Sequence, residues 1–238
     1  MITEKKSLED IARELEEQGY RIQELMAYCG KNNSSLLRMP EDCFREYREL
    51  YDLIDGGELS KAVKGKALER LTELLFQVGG LFDCRRNYHT STNELDLLLT
   101  WGRQARNSGI GNAFPCFGDM FICECKEYSK RVDVTYVGKF YSLLACSRVS
   151  LGVLVAWEGV TGRSQWSDAK GLIKKIALRD NVFIVTLEKQ DLKEIYDGKK
   201  NVYSLLMDKK DALQSDISYR NFISHHEAET DFSGMIDG

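Results

Sequence analysis

The apolar run from Leu151 to Trp157 constrains the fold of this chain more than any other feature. All seven positions are Leu, Gly, Val, Ala or Trp. Such a run predicts a strand covered on both faces, as in parallel sheets. It is far too short to cross a bilayer, which takes about 20 residues, and we expect no association with a membrane. Because parallel strands are joined by crossover segments that are usually helical, the run indicates an α/β domain.

The patterns on either side of this run predict how the domain is ordered. Alternating and continuous apolar segments indicate strands, and apolar residues at helical spacing indicate helices. The predicted order is helix 60–78, strands 82–88, 94–101 and 120–128, helix 134–148, strand 151–157, helix 167–178 and strand 182–187. The polar, glycine-rich segment 102–118 is predicted to be a loop. This alternation predicts an α/β fold with a central mixed sheet flanked by helices.

Helices are also predicted on both sides of this domain. Ser7 is a suitable cap for a first helix whose apolar stripe continues to Met26, and a second helix should begin near Pro40 and end at Gly56. We therefore divide the chain into an N-terminal helical module at 1–58, an α/β domain at 59–190, and C-terminal helices with a polar tail at 191–238.

Charge and cysteine content limit where the chain works and what it binds. The formal net charge is -4, so binding to nucleic acid requires a local basic surface or metal ions that offset acidic groups. The seven cysteines are odd in number and scattered, which favours reduced thiols over a disulfide framework. The charged N-terminus lacks the apolar core of a secretory signal. These features predict a cytoplasmic location.

Two predicted strands carry ionisable residues in very apolar surroundings. Because side chains alternate along a strand, Glu124 and Lys126 share one face of segment 120–128, and Cys123 and Cys125 share the other. Asp96 stands between leucines on the preceding strand. A buried carboxylate is costly unless it has a partner or a metal ion, so Asp96 is a candidate functional residue.

This set of residues suits the hydrolysis of phosphodiesters. The reaction needs a nucleophilic water and stabilisation of negative charge, and Mg²⁺ held by oxygen ligands can supply both. Asp96, Glu124 and the main-chain carbonyl of Cys125 are the predicted metal ligands. Lys126 is predicted to orient or deprotonate the water, or to stabilise developing charge. Glu69, on the helix before the strands, is predicted to support the metal, although Glu73 one turn later is an alternative.

The motifs Gly65-x-x-x-Glu69, Glu94-Leu95-Asp96 and Glu124-Cys125-Lys126, in this order of elements, resemble the PD-(D/E)xK nuclease superfamily, in particular its Mrr-type restriction endonuclease branch. The resemblance covers residues 65–187 and includes the apolar strand 151–157. It implies a restriction-endonuclease-like fold and an endonuclease that depends on Mg²⁺ or Mn²⁺ and acts on DNA. It also implies a role in restriction or anti-phage defence. Two features depart from the branch: segment 93–96 replaces its common Gly-x-Asp-x-x pattern, and the long stretch between Asp96 and Glu124 contains a loop that its shortest members lack.

Basic residues near the site are candidates for binding nucleic acid. Arg103 and Arg106 lie in the predicted loop, and Lys139 lies on the following helix, where some relatives carry an assisting residue. A plain surface role is the alternative for each. Because a cell must gate such a nuclease, we expect a homo-oligomer and control by a regulatory or sensor subunit.

Other interpretations are compatible with the same residues. A resolvase or repair nuclease on this fold is one, and a non-catalytic module that binds nucleic acid or mediates assembly is another. Cys123 and Cys125 have the spacing of half a zinc site, but no second pair stands at ligand spacing, which favours buried small apolar residues.

Overall fold

The computed structural model describes residues 7–21, 24, 39–57, 60–77, 81–89, 94–107, 111, 117–126, 130–163 and 167–215. The helices are α1 (Leu8–Glu17), α2 (Glu41–Asp55), α3 (Lys61–Phe76), α4 (Arg103–Asn107), α5 (Val134–Cys146), α6 (Asp168–Asp180), α7 (Lys189–Tyr196) and α8 (Val202–Ser215). The strands are β1 (Phe82–His89), β2 (Glu94–Trp101), β3 (Met120–Lys126), β4 (Leu151–Ala156) and β5 (Phe183–Leu187). Within these ranges, no helix is both long and apolar enough to span a bilayer.

The described strands form one mixed sheet in the order β1-β2-β3-β4-β5. The pairs β1–β2 and β2–β3 are antiparallel, whereas β3–β4 and β4–β5 are parallel. All six residues of β4 are buried, as the continuous apolar run predicts for a central parallel strand. The prediction of an α/β fold with a central mixed sheet flanked by helices is confirmed.

Helices cover both faces of the central strands. On one face, Phe76 of α3 packs edge-on against Phe121 of β3, with ring centroids 5.2 Å apart. On the other face, Gly152 of β4 lies under α5, where a Cβ atom would come within 2.8 Å of the Phe140 ring and within 2.5 Å of Leu144. The missing side chain therefore lets α5 approach the sheet closely.

The helices outside the central segment share the same core. The hydroxyl of the buried Tyr47, on α2, donates a hydrogen bond of 2.8 Å to the carbonyl of Leu192 on α7. The rings of Tyr51 and Trp157 pack with their centroids 5.0 Å apart. The buried Tyr203 of α8 stacks on Phe82 with a centroid distance of 6.1 Å. The division of the chain at residues 58 and 190 stays a prediction.

Two predictions of secondary structure were wrong. The first helix ends at Glu17 instead of continuing to Met26, because the chain turns at Gly19, whose φ of +83° is left-handed and suits glycine. The later part of that stripe, from Ile22, lies largely outside the described residues. The segment 102–118 was predicted to be a loop, yet it contains the short helix α4.

Candidate active site

Asp96 and Glu124 lie side by side on neighbouring strands. The last pair of the β2–β3 ladder is Leu97 with Cys123, so Asp96 stands opposite Glu124 one residue beyond it. Opposite residues of an antiparallel pair share a face of the sheet. Ile122 and Glu124 point to the same face of β3. Ile122 is paired with Gly152, which lies under α5, so the acidic pair lies on the face that α5 covers.

The Asp96 carboxylate replaces main-chain pairing at the end of the ladder. Its Oδ2 accepts a hydrogen bond of 2.7 Å from the main-chain N–H of Cys125. In an antiparallel arrangement, the N–H and C=O of one residue point to the same side. The Cys125 carbonyl therefore points toward β2, on the same side as Asp96.

Lys126 lies between the two carboxylates. Its Nζ is 2.8 Å from Oε1 of Glu124 and 3.8 Å from Oδ2 of Asp96. The side chains of Lys126 and Asp96 are each 17% exposed, and that of Glu124 is 11% exposed. Solvent therefore screens the three charges weakly. The structure brings together three of the residues that the sequence analysis placed in the site.

The surroundings of Asp96 disfavour its charge. Burial, followed by the negative charge of Glu124, raises the pKa of Asp96 from 3.8 to about 6. The Cys125 N–H and the Lys126 ammonium act in the opposite direction, and Glu69 adds a smaller contribution that raises the pKa. The pKa of this carboxyl is therefore held close to the neutral range by desolvation and by like charge.

Glu69 and Glu73 have different surroundings on α3. Glu73 is buried and bonded to Arg70 at 2.6 Å and to Arg86 of β1. Glu69 is half-buried, and its charge acts on Asp96. Of the two, Glu69 is the one that lies near the acidic pair, whereas Glu73 joins α3 to β1. The role of Glu69 as a metal support stays a prediction.

Tyr136, on the first turn of α5, belongs to the site although the sequence analysis did not identify it. Its hydroxyl donates a hydrogen bond to Oε1 of Glu124. The Lys126 ammonium lies 4.9 Å from the centre of its ring, a distance typical of a cation–π contact. The cap of α5 positions the tyrosine, because the Asp133 carboxylate accepts the Tyr136 N–H at 2.9 Å. In the sequence, the only sign of the contact with Glu124 is Asp133, a residue that can cap a helix, followed three positions later by Tyr136.

One oxygen of the site has no hydrogen-bond partner among the residues that the structure describes. Oε2 of Glu124 is buried and accepts no hydrogen bond from the part of the chain that the structure describes. Such an atom is costly unless a ligand or an ion satisfies it. Together with Asp96 and the Cys125 carbonyl, this oxygen suits Mg²⁺, which binds through one or two carboxylates and keeps several waters.

The cysteines of β3 do not form a zinc site with other described residues. Burial raises the pKa of the Cys123 and Cys125 thiols well above its usual value, and the Cys125 thiol donates to Oγ1 of Thr72 at 3.3 Å. Among the residues that the structure describes, no group of three or more His, Cys, Asp or Glu side chains is arranged to hold a metal ion. These two cysteines pack as small apolar residues.

The three basic candidates lie in different places. Lys139 is exposed on α5, one turn after Tyr136, and lines the same groove. Arg103 and Arg106 are exposed on α4, which follows the end of β2 remote from Asp96. Trp101 lies five residue steps along β2 from Asp96, or about 17 Å at the usual rise. The structure therefore does not bring the two arginines to the site, and their contact with nucleic acid stays a prediction.

Comparison with protein families agrees with this arrangement. The model of the Mrr_cat family, described as Restriction endonuclease, matches residues 60–188, which is more than half of the chain. The chain belongs to this restriction endonuclease family. The match begins at the N-cap of α3 and ends just after β5, so the family's segment holds Glu69, Asp96, Glu124, Lys126 and Tyr136.

The family match confirms the resemblance to the Mrr-type branch. A restriction-endonuclease-like nuclease domain therefore spans residues 60–188. A comparison of the chain with curated proteins returned no match. Helices α2, α7 and α8, which share the core of the nuclease domain, lie outside the matched segment.

Proposed function

We propose that this restriction endonuclease family member hydrolyses phosphodiester bonds of DNA with the help of Mg²⁺ or Mn²⁺. The observation that supports the proposal best is the convergence of Asp96, Glu124 and Lys126 on one face of two neighbouring strands. The unsatisfied Oε2 of Glu124 is the second support. Both fit a site that holds a hard cation beside an ammonium group.

Each residue has a distinct role in this proposal. Asp96, Glu124 and the Cys125 carbonyl hold the metal ion, and Glu69 supports it. When bound, the ion supplies Lewis-acid stabilisation of the charge on the phosphate and lowers the pKa of an attacking water. Lys126 donates hydrogen bonds that orient this water, or stabilises the negative charge of the transition state. The Tyr136 hydroxyl holds the Glu124 carboxylate in place.

Cleavage of plasmid DNA tests this proposal. The purified chain should nick or linearise plasmid with Mg²⁺ or Mn²⁺ and lose the activity with EDTA. Lys126→Ala should lower the rate by about 100-fold or more, the usual scale for the loss of a donor that stabilises charge in the transition state. Lys175→Ala, which removes an exposed lysine from α6, is the control and should cleave like the parent.

Two results would contradict the proposal. If Lys126→Ala and Asp96→Ala cleave as fast as the parent, the active-site assignment is wrong. If Mg²⁺ and Mn²⁺ produce no heat of binding in calorimetry and no DNA is cut, the chain is a non-catalytic module. Cleavage confined to junctions or flaps would instead identify a resolvase or repair nuclease.

We further propose a role in restriction or anti-phage defence, performed by a homo-oligomer. This proposal rests on the family to which the chain belongs and on the need for two sites to cut both strands of a duplex. Cells that express the parent chain should resist phage infection, whereas cells that express Lys126→Ala should not. Sedimentation that shows a monomer with and without DNA would contradict the homo-oligomer.

A further inference from the structure

A groove of about 490 Å³ opens beside Tyr136, on the edge of the site. Four cations line it: Lys61 at the start of α3, Lys130 and Arg131 before α5, and Lys139 on α5. We refer to the space lined by these four residues and Tyr136 as the basic groove. It places a concentrated positive charge on a chain whose net charge is -4.

The cations of the basic groove are available to a ligand. All four are exposed, and none forms an ion pair with an acidic side chain of the described segments. By contrast, Lys189, Lys193 and Lys209 of α7 and α8 are each paired with an aspartate. The acid that lines the groove, Asp133, already accepts the N–H of Tyr136 as the cap of α5.

The segment that carries two of these cations is held in place by an isolated bridge to the segment that follows β4. The N–H of Val132 donates to the carbonyl of Gly159 at 2.9 Å, and the carbonyl of Val132 accepts from the N–H of Thr161 at 2.8 Å. These bonds form a parallel bridge between Val132 and Val160. This bridge fixes the backbone next to Arg131, which lowers the entropic cost of ordering that wall of the groove when a ligand binds.

To bind DNA, the acidic site needs a positively charged surface next to it. Asp96 and Glu124 outweigh Lys126 in charge, so the site alone repels a phosphodiester. Tyr136 lines the basic groove and also contacts Glu124, which makes the groove continuous with the site. We propose that the basic groove binds backbone phosphates of the DNA strand next to the bond that is cut. This inference rests on the proposed function, because it assumes that DNA is the substrate.

The salt dependence of DNA binding tests the inference. The full chain would be titrated against a fluorescent DNA duplex in EDTA, which prevents cleavage, at several salt concentrations. Each phosphate contact contributes about 0.9 to the slope of log K against log salt concentration. The double variant Lys61→Ala/Lys139→Ala should therefore lower this slope by about 1.8 and weaken binding most at low salt.

Two further variants control for folding and for net charge. Lys175→Ala/Lys199→Ala removes the same charge from exposed positions on other parts of the surface and should leave the slope unchanged. Lys61→Arg/Lys139→Arg keeps the charge and should retain the slope of the parent, which shows that positive charge in the groove is what matters.

The outcomes separate this inference from the proposed function. If the parent binds and cuts DNA but the groove variant keeps its slope, the inference is wrong and the proposed function stands. If the parent neither binds nor cuts DNA, both are wrong. If the groove variant loses slope with an RNA duplex and not with DNA, the assignment of DNA to the groove is wrong.

Discussion

Asp96 is held in a position where its charged carboxylate lowers the stability of the folded protein. Its carboxylate is desolvated and stands beside Glu124, and the Lys126 ammonium, at 3.8 Å, compensates only in part. Residues that bind a cation commonly destabilise the fold when the cation is absent. The effect on the free energy of unfolding can be measured by substituting Asp96 alone.

In metal-free buffer, Asp96→Asn should increase the free energy of unfolding at pH 7. The folded pKa, about 6, lies above the unfolded value of 3.8, so the folded chain binds more protons than the unfolded chain between these values. The stability of the parent therefore falls as the pH rises through this window, by up to about 3 kcal/mol. Urea unfolding in EDTA at pH 3.5 to 7.5 measures this difference.

The control for this experiment is Asp83→Asn on β1, where the side chain is exposed. We expect that substitution to change the free energy of unfolding little at any pH. A difference between Asp96→Asn and the parent that does not vary with pH would contradict the account of Asp96. Mg²⁺ should stabilise the parent and have little effect on Asp96→Asn.

Tyr136→Phe should raise the half-saturating Mg²⁺ concentration for cleavage by about tenfold. The substitution removes the hydrogen bond to Oε1 of Glu124, and bonds to charged groups contribute about 1.5–3 kcal/mol. Because the hydroxyl positions Glu124, which we propose as a metal ligand, the KM for DNA should change much less than the Mg²⁺ requirement. Steady-state kinetics over a range of Mg²⁺ concentrations measures both.

Tyr141→Phe is a matched control for this prediction. It removes the same atom from the same helix, where the hydroxyl donates to Asp180 at 2.6 Å, away from the acidic pair. A similar change in Mg²⁺ requirement for both variants would show that the effect comes from α5 as a whole and not from the contact with Glu124.

At the scale of elements, α5 depends on one glycine of β4. Gly152→Ala should destabilise the protein by about 1–3 kcal/mol, because the added Cβ would lie 2.5 Å from Leu144 and 2.8 Å from Phe140. Displacement of α5 also moves Tyr136, so cleavage should need more Mg²⁺. Thermal or urea unfolding and the Mg²⁺ titration check the two effects.

Gly138→Ala provides a control of opposite sign. Gly138 lies on α5 itself, and an added Cβ would meet only Leu172, at 3.9 Å, which is ordinary contact. Alanine in place of a helical glycine stabilises by about 0.5–1 kcal/mol. If Gly152→Ala also stabilises the protein, the close approach of α5 does not need glycine.

Patterns of a few residues were enough to predict the sheet and the acidic pair. The segment 94–101 was predicted with the bounds that β2 has, since alternation of Leu with other residues is a local signal. The same alternation predicts that Asp96 points to the face of β2 opposite to Leu95 and Leu97. Glu124 and Lys126 followed from the family motif and from their shared face.

Tyr136 and α4 were missed because the local sequence does not predict the contact of the one or the helical period of the other. The contact of Tyr136 with Glu124 depends on how closely α5 packs on the sheet, and Gly152, sixteen residues later, determines that distance. The helix α4 has only five residues, which is too short for a helical period to appear in the sequence. Glu69 could not be distinguished from Glu73 because Arg86, which engages Glu73, lies on another element.

At the scale of the whole molecule, the family segment and the core have different extents. The matched residues 60–188 exclude Tyr47 of α2 and Tyr203 of α8, both fully buried. A fragment of residues 60–188 should therefore expose apolar surface and lack a cooperative unfolding transition. A fragment of residues 7–215 keeps these helices and should unfold cooperatively, as measured by circular dichroism during heating.

Binding of a hydrophobic dye is a second readout for the two fragments. The shorter fragment should bind it strongly, because the surfaces that α2 and α8 cover are exposed. If residues 60–188 unfold cooperatively and bind no dye, the outer helices are accessory, and the proposed division at residues 58 and 190 gains support.

The close packing of α5 on Gly152 has a consequence for mutational scanning. In a selection that scores every substitution for DNA cleavage, we expect Gly152 to tolerate as few replacements as Asp96, although Gly152 bears no functional group. A map of the substitutions that preserve cleavage would therefore wrongly include Gly152, near the start of β4, in the active site. Scoring the same library for abundance in the cell would separate the two positions, because Asp96 variants should accumulate normally while Gly152 variants are degraded.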